Sequence, residues 1–365
     1  MKLLIVVTTH FELDGITNTV MNYYLNMDKT DMTVDFIVPN KLNDRLKFYI
    51  EDNGGRVYEL TMRKKNPILY WYNLWNIIHK EQYDIIHAHG NSATLITEMS
   101  AARVCGLKVR IAHCHNTVCN HRIINRLLKP LFFHMYTHGF ACSTAAGKWL
   151  FDKNMFYVIN NGTDIKKYSY DRDVREAYRK KYNMDGKKVI GHVGNFVFQK
   201  NHEFIIDTFY ELNKMNPDCL LVLIGDGVRQ AEMKKKVSEL GINNKVIFLG
   251  KTLEVPQLLQ AMDVMILPSR FEGLPNVAVE WQIAGLPSII SDVVTAEVKL
   301  TSLVEFLPLS NGPKAWAYRI NSIKAVDRQE ICQEVTEQIK EAGFGIRNNA
   351  KNLKNLYIKL VKEEK

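Results

Sequence analysis

Short runs centred on apolar residues recur along the chain and alternate with longer segments of mixed polarity. In the first half these runs occupy positions 3–7, 34–38, 84–87, 109–113, 140–143 and 157–159. Apolar runs of this length are typical of strands buried on both faces of a parallel sheet. Helical patterns lie between them at 17–26 and 94–104. The alternation predicts a parallel sheet with helices on both faces.

The same alternation resumes further along the chain. The spacing predicts strands at 189–193, 220–224, 246–249, 264–267 and 288–290, and helices at 203–213, 230–240, 255–261 and from about Pro275. An amphipathic helix is predicted over 349–362, where Leu353, Leu356 and Leu360 form its apolar stripe.

Between the two halves, residues 166–188 are rich in Lys, Arg, Tyr and Asp and contain no apolar run. We place the domain boundary there and predict an α/β protein with two Rossmann-like, doubly wound domains facing across a cleft. The domains are residues 1–165 and residues 166–345. The helix in 346–365 is expected to pack back on the first domain. Ligands of such sheets bind at the carboxyl ends of the strands.

Composition narrows the class of protein. A chain of 365 residues exceeds the size of most single cores, which agrees with two domains. The apolar runs are too short for a membrane-spanning helix, and 24% charged residues argue against disorder. Six cysteines in a chain of this length indicate a reducing compartment, and the first residues lack the features of a signal peptide. We expect a cytoplasmic protein.

The positive charge is concentrated in one segment. From Arg103 to Lys153 there are eight cations and one acid, Asp152, whereas the net charge of the whole chain is +9. Within it, Ile124, Leu127 and their neighbours Leu128 and Leu131 form an apolar stripe beside basic residues. One interpretation is an ordinary helix packed on the core; the other is attraction to the anionic inner face of the plasma membrane. No nucleic-acid-binding motif accompanies the charge.

The segment Pro268–Asn276, together with Glu280, has the features of an anion site. A predicted strand ends just before it, and Gly273 allows close approach of the backbone. A helix that begins near Pro275 offers free N–H groups and a partial positive charge. Glu272 and Glu280 flank this helix start, where carboxylates can accept hydrogen bonds from sugar hydroxyls. The alternative is a helix-capping glutamate and an unrelated surface glutamate.

A second candidate is Gly191–Phe196, followed by Lys200. A glycine-bounded loop after the first strand of the second domain suits a diphosphate, and Lys200 supplies a point charge to a phosphate oxygen. Taken alone, this pattern is common in proteins.

Histidines form the third candidate. His113 and His115 follow a strand of the first domain, so they are expected at its ligand-binding edge. Together with His121, Cys114 and Cys119 they are also an alternative zinc-ligand set, although their spacing matches no structural zinc pattern. His87 and His89 also end a predicted strand, and we interpret them as partly buried structural histidines.

The order and spacing of several motifs resemble the retaining glycosyltransferases of family four, which have the GT-B fold. The main motif is Ser-Arg-Phe-Glu-Gly-Leu-Pro-Asn-Val-Ala-Val-Glu at 269–280. Further matching segments lie at 160–164, 192–194, 199–202, 223–227, 284–287 and 291–292. The segment 110–116 is similar to bacterial exopolysaccharide and capsule members. The resemblance covers nearly the whole chain. It implies that residues 1–165 form the acceptor side and that residues 166–345 bind the nucleotide sugar.

This resemblance implies roles for individual residues. Glu280 is expected to bind the nucleotide ribose, Lys200 to neutralise the diphosphate, and His115 to contact the donor hexose. Glu272 is expected near the donor sugar, and with His115 and Lys200 it forms the predicted catalytic set. The implied nucleotide-sugar site comprises Gly15, Gly194, Asn195, Lys200, Gly225, Asp226, Glu272, Gly273, Leu274, Pro275, Asn276 and Glu280. Two features depart from the family: Asn195 stands where arginine is common, and the loop at Gly15 has one glycine where two are frequent.

The expected reaction is the transfer of a hexose or N-acetylhexosamine from a UDP-sugar to a glycan or lipid-linked oligosaccharide acceptor, with retention. No cofactor or metal is expected. The chain's Asp-x-Asp, Asp171-Arg172-Asp173, lies in the boundary segment, so Lys200 and the helix start near Pro275 are expected to stabilise the leaving diphosphate. Two alternatives remain at this point: a UDP-sugar epimerase on the same fold, and a non-catalytic nucleotide-sugar-binding protein.

Overall fold

The computed structural model describes residues 1–9, 11, 15–40, 42–61, 63–119 and 121–364. The chain divides into two compact units. The first comprises residues 1–162 and 343–365, and the second comprises residues 163–342. Over the described residues, each unit contains one parallel sheet, seven-stranded in the first and six-stranded in the second. The predicted class, two Rossmann-like α/β domains, is confirmed.

In the first sheet the strand order is β3-β2-β1-β4-β5-β6-β7. These strands are β1 (Lys2–Val7), β2 (Thr33–Val38), β3 (Val57–Glu59), β4 (Ile85–Gly90), β5 (Val109–Cys114), β6 (His138–Ala141) and β7 (Phe156–Val158). The helices between them are α1 (Gly15–Asn26), α2 (Asp44–Asp52), α3 (Pro67–Glu81), α4 (Ile96–Val104), α5 (Arg122–Phe132) and α6 (Thr144–Phe151).

The second sheet repeats this order as β10-β9-β8-β11-β12-β13. Its strands are β8 (Lys188–Val193), β9 (Cys219–Ile224), β10 (Val246–Gly250), β11 (Val264–Leu267), β12 (Ser288–Ser291) and β13 (Val304–Leu307). Its helices are α7 (Ile165–Tyr168), α8 (Arg172–Lys181), α9 (His202–Met215), α10 (Gln230–Glu239), α11 (Val255–Ala261), α12 (Asn276–Ile283), α13 (Gly312–Ser322) and α14 (Arg328–Glu341). Helices α7 and α8 occupy the segment that the sequence assigned only as a boundary.

Strand order fixes where each sheet accepts a ligand. In both sheets the first three strands are added towards one edge and the later strands towards the other. The order therefore reverses between β1 and β4 in the first sheet and between β8 and β11 in the second. Open α/β sheets bind ligands outside the carboxyl ends of the strands at such a switch point. The loops after β8 and β11, and the ends of β4 and β5, therefore mark the candidate regions of the two units.

Each sheet lies between two apolar clusters because successive strand residues point to opposite faces. In β1, Leu3, Ile5 and Val7 pack in one cluster, whereas Leu4 and Val6 pack in the other. The second sheet has the same arrangement in its own two clusters. Continuous apolar runs in the sequence follow from this burial on both faces.

The last helix, α15 (Ile346–Glu363), belongs to the first unit. Its buried residues are Ile346, Ala350, Leu353, Tyr357 and Leu360, which lie on one side of the helix and join the cluster that includes α1. Because a Cβ atom at position 162 would lie 2.9 Å from the Cα of Ile346, Gly162 allows the chain to pass close to α15 there.

Among the described residues, no helix has both the length and the apolar character needed to cross a membrane.

Candidate active site

The carboxylate of Glu272 lies at the centre of a group of hydrogen-bond donors in the second unit. Lys200 Nζ is 2.6 Å from its Oε1 and Gln199 Nε2 is 2.9 Å from its Oε2. Ser269 donates a further bond of 2.9 Å from Oγ to Oε1. The loop after β11 therefore presents Glu272 in a fixed position beside Lys200, although the two residues lie far apart in the sequence.

Backbone contacts hold these two loops together. Arg270 N donates to the carbonyl of Gln199 at 2.8 Å, and the Asn201 side-chain amide donates to the carbonyl of Pro268 at 3.1 Å. Ser291, at the end of β12, donates to the carbonyl of Ser269 at 2.6 Å. The predicted association of the Pro268–Asn276 segment with Lys200 is thus present in the fold.

After Glu272 the chain runs through buried Gly273, Leu274 and Pro275 into α12. Pro275 is the residue just before the helix, with an extended backbone, and Asn276 is its first residue. The first N–H groups of α12 therefore start within a few residues of the Glu272 carboxylate. A helix N-terminus beside a lysine favours a negatively charged ligand.

Two glycine loops pack back to back next to this site. Gly225 has φ +140°, and a Cβ atom there would overlap the carbonyl group of Gly194. A Cβ atom on Gly194 would lie 2.8 Å from His192 Nε2 and 3.3 Å from the Lys200 side chain. Asn195 and Asp226 are exposed at the tips of these loops, and Asp226 Oδ1 accepts a hydrogen bond of 2.7 Å from Gly227 N.

Glu280 lies one turn further along α12, facing α7. Burial raises the pKa of its carboxyl group to about 7, although the Tyr168 hydroxyl and Lys167 act in the opposite direction. At neutral pH this group is therefore divided between its neutral and charged forms. The contact with the Tyr168 hydroxyl shows that this carboxyl group can accept a hydrogen bond from a hydroxyl.

In the first unit, four histidines lie together at the carboxyl ends of β4 and β5. His89 Nδ1 is 2.8 Å from His115 Nε2, and His87 Nε2 is 3.0 Å from His113 Nδ1. The Tyr357 hydroxyl of α15 is 2.7 Å from His87 Nδ1. Burial lowers the pKa values of His87 and His115 to about 3, and those of the other two fall well below the usual value. All four rings are neutral at physiological pH.

The sequence predicted part of this cluster. His87 and His89 lie in the central and C-terminal parts of β4, and both are almost completely buried rather than partly buried. The pairing with His113 and His115 depends on the register of β4 with β5, and the contact with Tyr357 depends on the fold of the C-terminal helix. The signal of this cluster in the sequence was the spacing of the histidines, which lie two residues apart at 87 and 89 and again at 113 and 115.

Comparison with known proteins agrees with this architecture. The family model described as "Glycosyltransferase Family 4" matches residues 13–167, and the model described as "Glycosyl transferases group 1" matches residues 174–342. The putative glycosyltransferase EpsF of Bacillus subtilis (strain 168) is 29% identical over 360 residues, which are 94% of this chain and 93% of that protein.

An Escherichia coli UDP-Gal:alpha-D-GlcNAc-diphosphoundecaprenol alpha-1,3-galactosyltransferase is 25% identical over 309 residues, 79% of each chain. Among solved structures, Anabaena Alr3699/HepE in complex with UDP and glucose has a TM-score of 0.79 at 19% identity, covering 98% of this chain and 99% of the other. This last likeness concerns the fold. The two family models together span both units of the chain.

The chain is a glycosyltransferase of the GT-B fold.

The remaining predicted residues of the glycosyltransferase lie as follows. Gly15 is the first residue of α1 in the first unit, the same unit as His115, while its neighbour Asp14 lies outside the described residues. Asp171, of the Asp-x-Asp sequence, caps the start of α8 by accepting a hydrogen bond from Val174 N.

The alternative zinc set is not assembled in the enzyme. Among the described residues, the His, Cys, Asp and Glu side chains that converge are His87, His89 and His113, whose ring nitrogens lie within 4.8 Å of one another. His121, Cys114 and Cys119 do not take part in this group. The buried thiol of Cys114 instead contacts the carbonyl of Asn116 at 3.2 Å.

Helix α5 contradicts the interpretation of an ordinary core helix. Ile123 is 78% exposed and Leu127 72%, and Ile124 and Leu131 are also exposed. The buried residue in the middle of the helix is polar: Asn125 Oδ1 accepts a hydrogen bond of 2.7 Å from Ala93 N. Three residues of the predicted stripe, Ile124, Leu127 and Leu131, are therefore exposed beside Arg122 and Arg126, whereas Leu128 is partly buried and packs on the core of the first unit.

Proposed function

We propose that this glycosyltransferase transfers a hexose or N-acetylhexosamine from a UDP-sugar to a glycan or lipid-linked acceptor, with retention, in the synthesis of a bacterial surface polysaccharide. The observation that carries the proposal is the contact of Glu272 with Lys200 at the start of α12. This site brings together a cation and free N–H groups, which can bind a diphosphate, and a carboxylate, which can contact the attached sugar.

The choice of donor and acceptor is supported by similar proteins. The E. coli relative is named for transfer of galactose from UDP-galactose to a diphosphoundecaprenol-linked sugar, and HepE was crystallised with UDP and glucose. EpsF carries the description of a putative glycosyltransferase. On this basis the donor is a UDP-sugar, and a lipid-linked sugar is the first acceptor to test.

In the proposed reaction the anomeric C–O bond breaks, and its electrons go to the diphosphate oxygen. Lys200 has three N–H donors, of which one is occupied by Glu272, so two remain for the phosphate oxygens. The N–H groups of Gly273 and Leu274 and the start of α12 stabilise the same charge. The acceptor hydroxyl attacks the face that the diphosphate leaves, and its proton passes to the departing phosphate oxygen.

Glu280 binds the ribose of the donor, and Gly194, Asn195, Gly225 and Asp226 form the loops beside its diphosphate. His115 of the first unit contacts the donor hexose. No metal ion is required in this proposal because Lys200 and the helix N-terminus provide the positive potential. Asn195 provides a neutral amide where related enzymes often have an arginine.

We further propose that α5 associates with the anionic inner face of the plasma membrane, where the lipid-linked acceptor resides. A helix with exposed Ile123 and Leu127 on one side and exposed Arg122 and Arg126 beside them has the amphipathic character of an interfacial helix. A basic residue near such a surface contributes about 1 kcal/mol.

The direct test is to incubate the purified enzyme with a panel of UDP-sugars, with and without membrane lipid extract, in the presence and absence of EDTA. We expect UDP release that depends on the acceptor and is unaffected by EDTA. Epimerised sugar without acceptor would indicate an epimerase, and binding without turnover would indicate a nucleotide-sugar-binding protein. A requirement for added metal would contradict the mechanism.

Glu272→Gln tests the central contact. The amide keeps the shape of the side chain but weakens the attraction to Lys200 and to a developing positive charge on the sugar. We expect turnover to fall about 100-fold or more. The melting temperature should stay within a few degrees of that of the wild type. Glu239→Gln, at an exposed position of α10, is the control and is expected to retain turnover. Wild-type turnover in Glu272→Gln would remove Glu272 from the active site.

A further inference from the structure

The four histidines of the first unit form two hydrogen-bonded pairs that stack on each other. His87 pairs with His113, and His89 pairs with His115, at the nitrogen distances of 3.0 and 2.8 Å given above. The ring centroids of His87 and His89 are 4.2 Å apart, and those of His113 and His115 are 4.1 Å apart. The proposed function uses only His115 from this cluster.

The sheet itself produces this arrangement. In the parallel ladder between β4 and β5, His89 is opposite His113. Residues two apart in a strand project to the same face, so His87 and His89 stack along β4, while His113 and the following His115 stack along β5. A shift of one residue in the register would separate the pairs.

The pairing restricts what His115 can offer to a ligand. A neutral imidazole has one N–H donor and one acceptor nitrogen. Because Nε2 of His115 is engaged with His89, and its backbone N–H donates to Asn91 Oδ1 at 3.0 Å, the ring has a defined orientation with Nδ1 left for a ligand. No hydrogen bond to this Nδ1 is found among the described residues. His115 is partly exposed, whereas His89 is buried.

The contacts of the other pair define its own protonation. Both ring nitrogens of His87 are engaged, one by the Tyr357 hydroxyl and the other by His113. His113 Nε2 is buried and has no hydrogen-bond partner among the described residues. Since a buried unpaired acceptor is tolerated better than a buried unpaired N–H, the favoured protonation is Nδ1–H of His113 donating to His87, which in turn donates to Tyr357.

We propose that His89 is a positioning residue for the sugar-contacting His115: it holds the ring through Nε2, fixes a single tautomer and reserves Nδ1 for a hydroxyl group of the donor hexose. The proposal rests on the proposed function of His115. The proposal predicts that loss of His89 affects the reaction only through His115. The effect should be seen first in the tautomer of the His115 ring.

The direct readout is the tautomer of His115, measured by long-range ¹H–¹⁵N correlation on the full chain with labelled histidine. We expect one tautomer in the wild type and a mixture in His89→Leu. His87→Gln is the matched control, because His87 is equally buried and stacks in the same cluster but has no hydrogen bond to His115. That variant is expected to keep the His115 tautomer. A fixed tautomer in His89→Leu would overturn the proposal.

Kinetics supply a second readout. By analogy with groups that orient metal-bound histidines, we expect His89→Leu to reduce kcat about tenfold and to leave KM for the acceptor unchanged. His89→Gln, which restores a hydrogen-bonding group, is expected to recover part of the loss and serves if the leucine variant folds poorly. In the double variant with His115→Ala, replacement of His89 should have no additional effect. Additive losses would overturn the proposal.

These experiments separate the proposal from the function on which it rests. If His115→Ala has wild-type activity, the assigned role of His115 fails, whereas the NMR experiment still reports whether His89 fixes the ring. Metal analysis of the purified protein provides a further check. The contrary result is a wild type that contains one transition metal ion per chain, absent from both His87→Gln and His89→Gln. That result would show that the histidine rings are metal ligands and would overturn the hydrogen-bonded arrangement.

Discussion

At the residue scale, the second unit contains two carboxylates in opposite surroundings. Glu272 receives hydrogen bonds from Lys200, Gln199 and Ser269. Glu280 lies on the same short segment of chain but is buried, and its pKa is raised to about 7. The proposed roles follow this difference. Glu272 is held by three donors beside the sugar, and Glu280 accepts a hydrogen bond from a ribose hydroxyl that stabilises its charged form when the donor binds.

Replacement of Glu280 should reveal how much free energy of unfolding is lost when the buried Glu280 carboxyl group becomes charged. Because burial raises the pKa of Glu280 in the folded state from its ordinary value of 4.5 to about 7, the stabilisation from its proton is complete below pH 4.5 and is lost as the pH rises through 7. We expect Glu280→Gln to unfold in urea like the wild type at pH 4.5, and to be more stable by about 1–3 kcal/mol at pH 8.

The control for this experiment is Glu239→Gln at an exposed position of α10, which should give no pH-dependent difference. Equal stability of wild type and Glu280→Gln at both pH values would contradict the raised pKa. Weaker binding of a UDP-sugar by Glu280→Gln at pH 8 is expected as well, because the amide is a poorer acceptor than a carboxylate for ribose hydroxyls.

At the element scale, the two glycine loops beside the diphosphate site depend on close backbone packing. Gly225→Ala would place a methyl group on the carbonyl of Gly194 and impose a strained backbone. We expect a loss of about 2–4 kcal/mol in the free energy of unfolding. Gly241→Ala, with φ +68° but open space around it, isolates the backbone strain and should cost only about 1 kcal/mol. Equal losses would show that contact with Gly194 has no effect.

Helix α5 provides the prediction for membrane association. Arg122→Gln with Arg126→Gln should reduce cosedimentation with anionic vesicles about tenfold or more at low salt, since each cation near the surface contributes about 1 kcal/mol. The difference should shrink as the ionic strength rises. Arg172→Gln with Lys235→Gln removes two exposed charges from other helices and is the matched control. Equal binding by the two double variants would indicate general charge attraction without a role for α5.

The elements predicted from the sequence are those buried on both faces. Strands such as β9 and β11 appear in the sequence as continuous apolar runs because helices cover both sides of each sheet. The edge strands β3 and β13 were not predicted, since they are short and only partly buried. Helix α14 was also missed, although Ile331, Val335 and Ile339 lie at helical spacing along its buried and partly buried side.

The candidate site shows the same limit. Motif spacing predicted Glu272 and Lys200 because each lies in a loop after a strand, and Glu280 because it lies on the helix that follows Glu272. The contact between Lys200 and Glu272 requires the loops after β8 and β11 to meet, which only the strand order provides. Likewise, the pairing of His89 with His115 requires the register of β4 with β5, and a single sequence does not contain that information.

At the scale of the whole molecule, the chain leaves the first unit at Gly162 and returns to it at Gly343. The side-chain amides of Asn160 and Asn349 both donate to the carbonyl of Gly343, so the outgoing and returning segments are joined within one unit. Helix α15 then completes the apolar cluster around α1. The first unit therefore needs both ends of the chain, whereas the second is continuous.

This organisation predicts that each unit can be destabilised separately. Leu360 of α15 is completely buried in the first unit, and Leu212 of α9 is completely buried in the second. We expect Leu360→Ala to cost about 2–4 kcal/mol and to accelerate hydrogen exchange in α1 and β1 while β9 stays protected. Leu212→Ala should give the reverse pattern. If either variant accelerated exchange equally in both sheets, the two units would unfold as one, because a cavity in one cluster would then weaken the other.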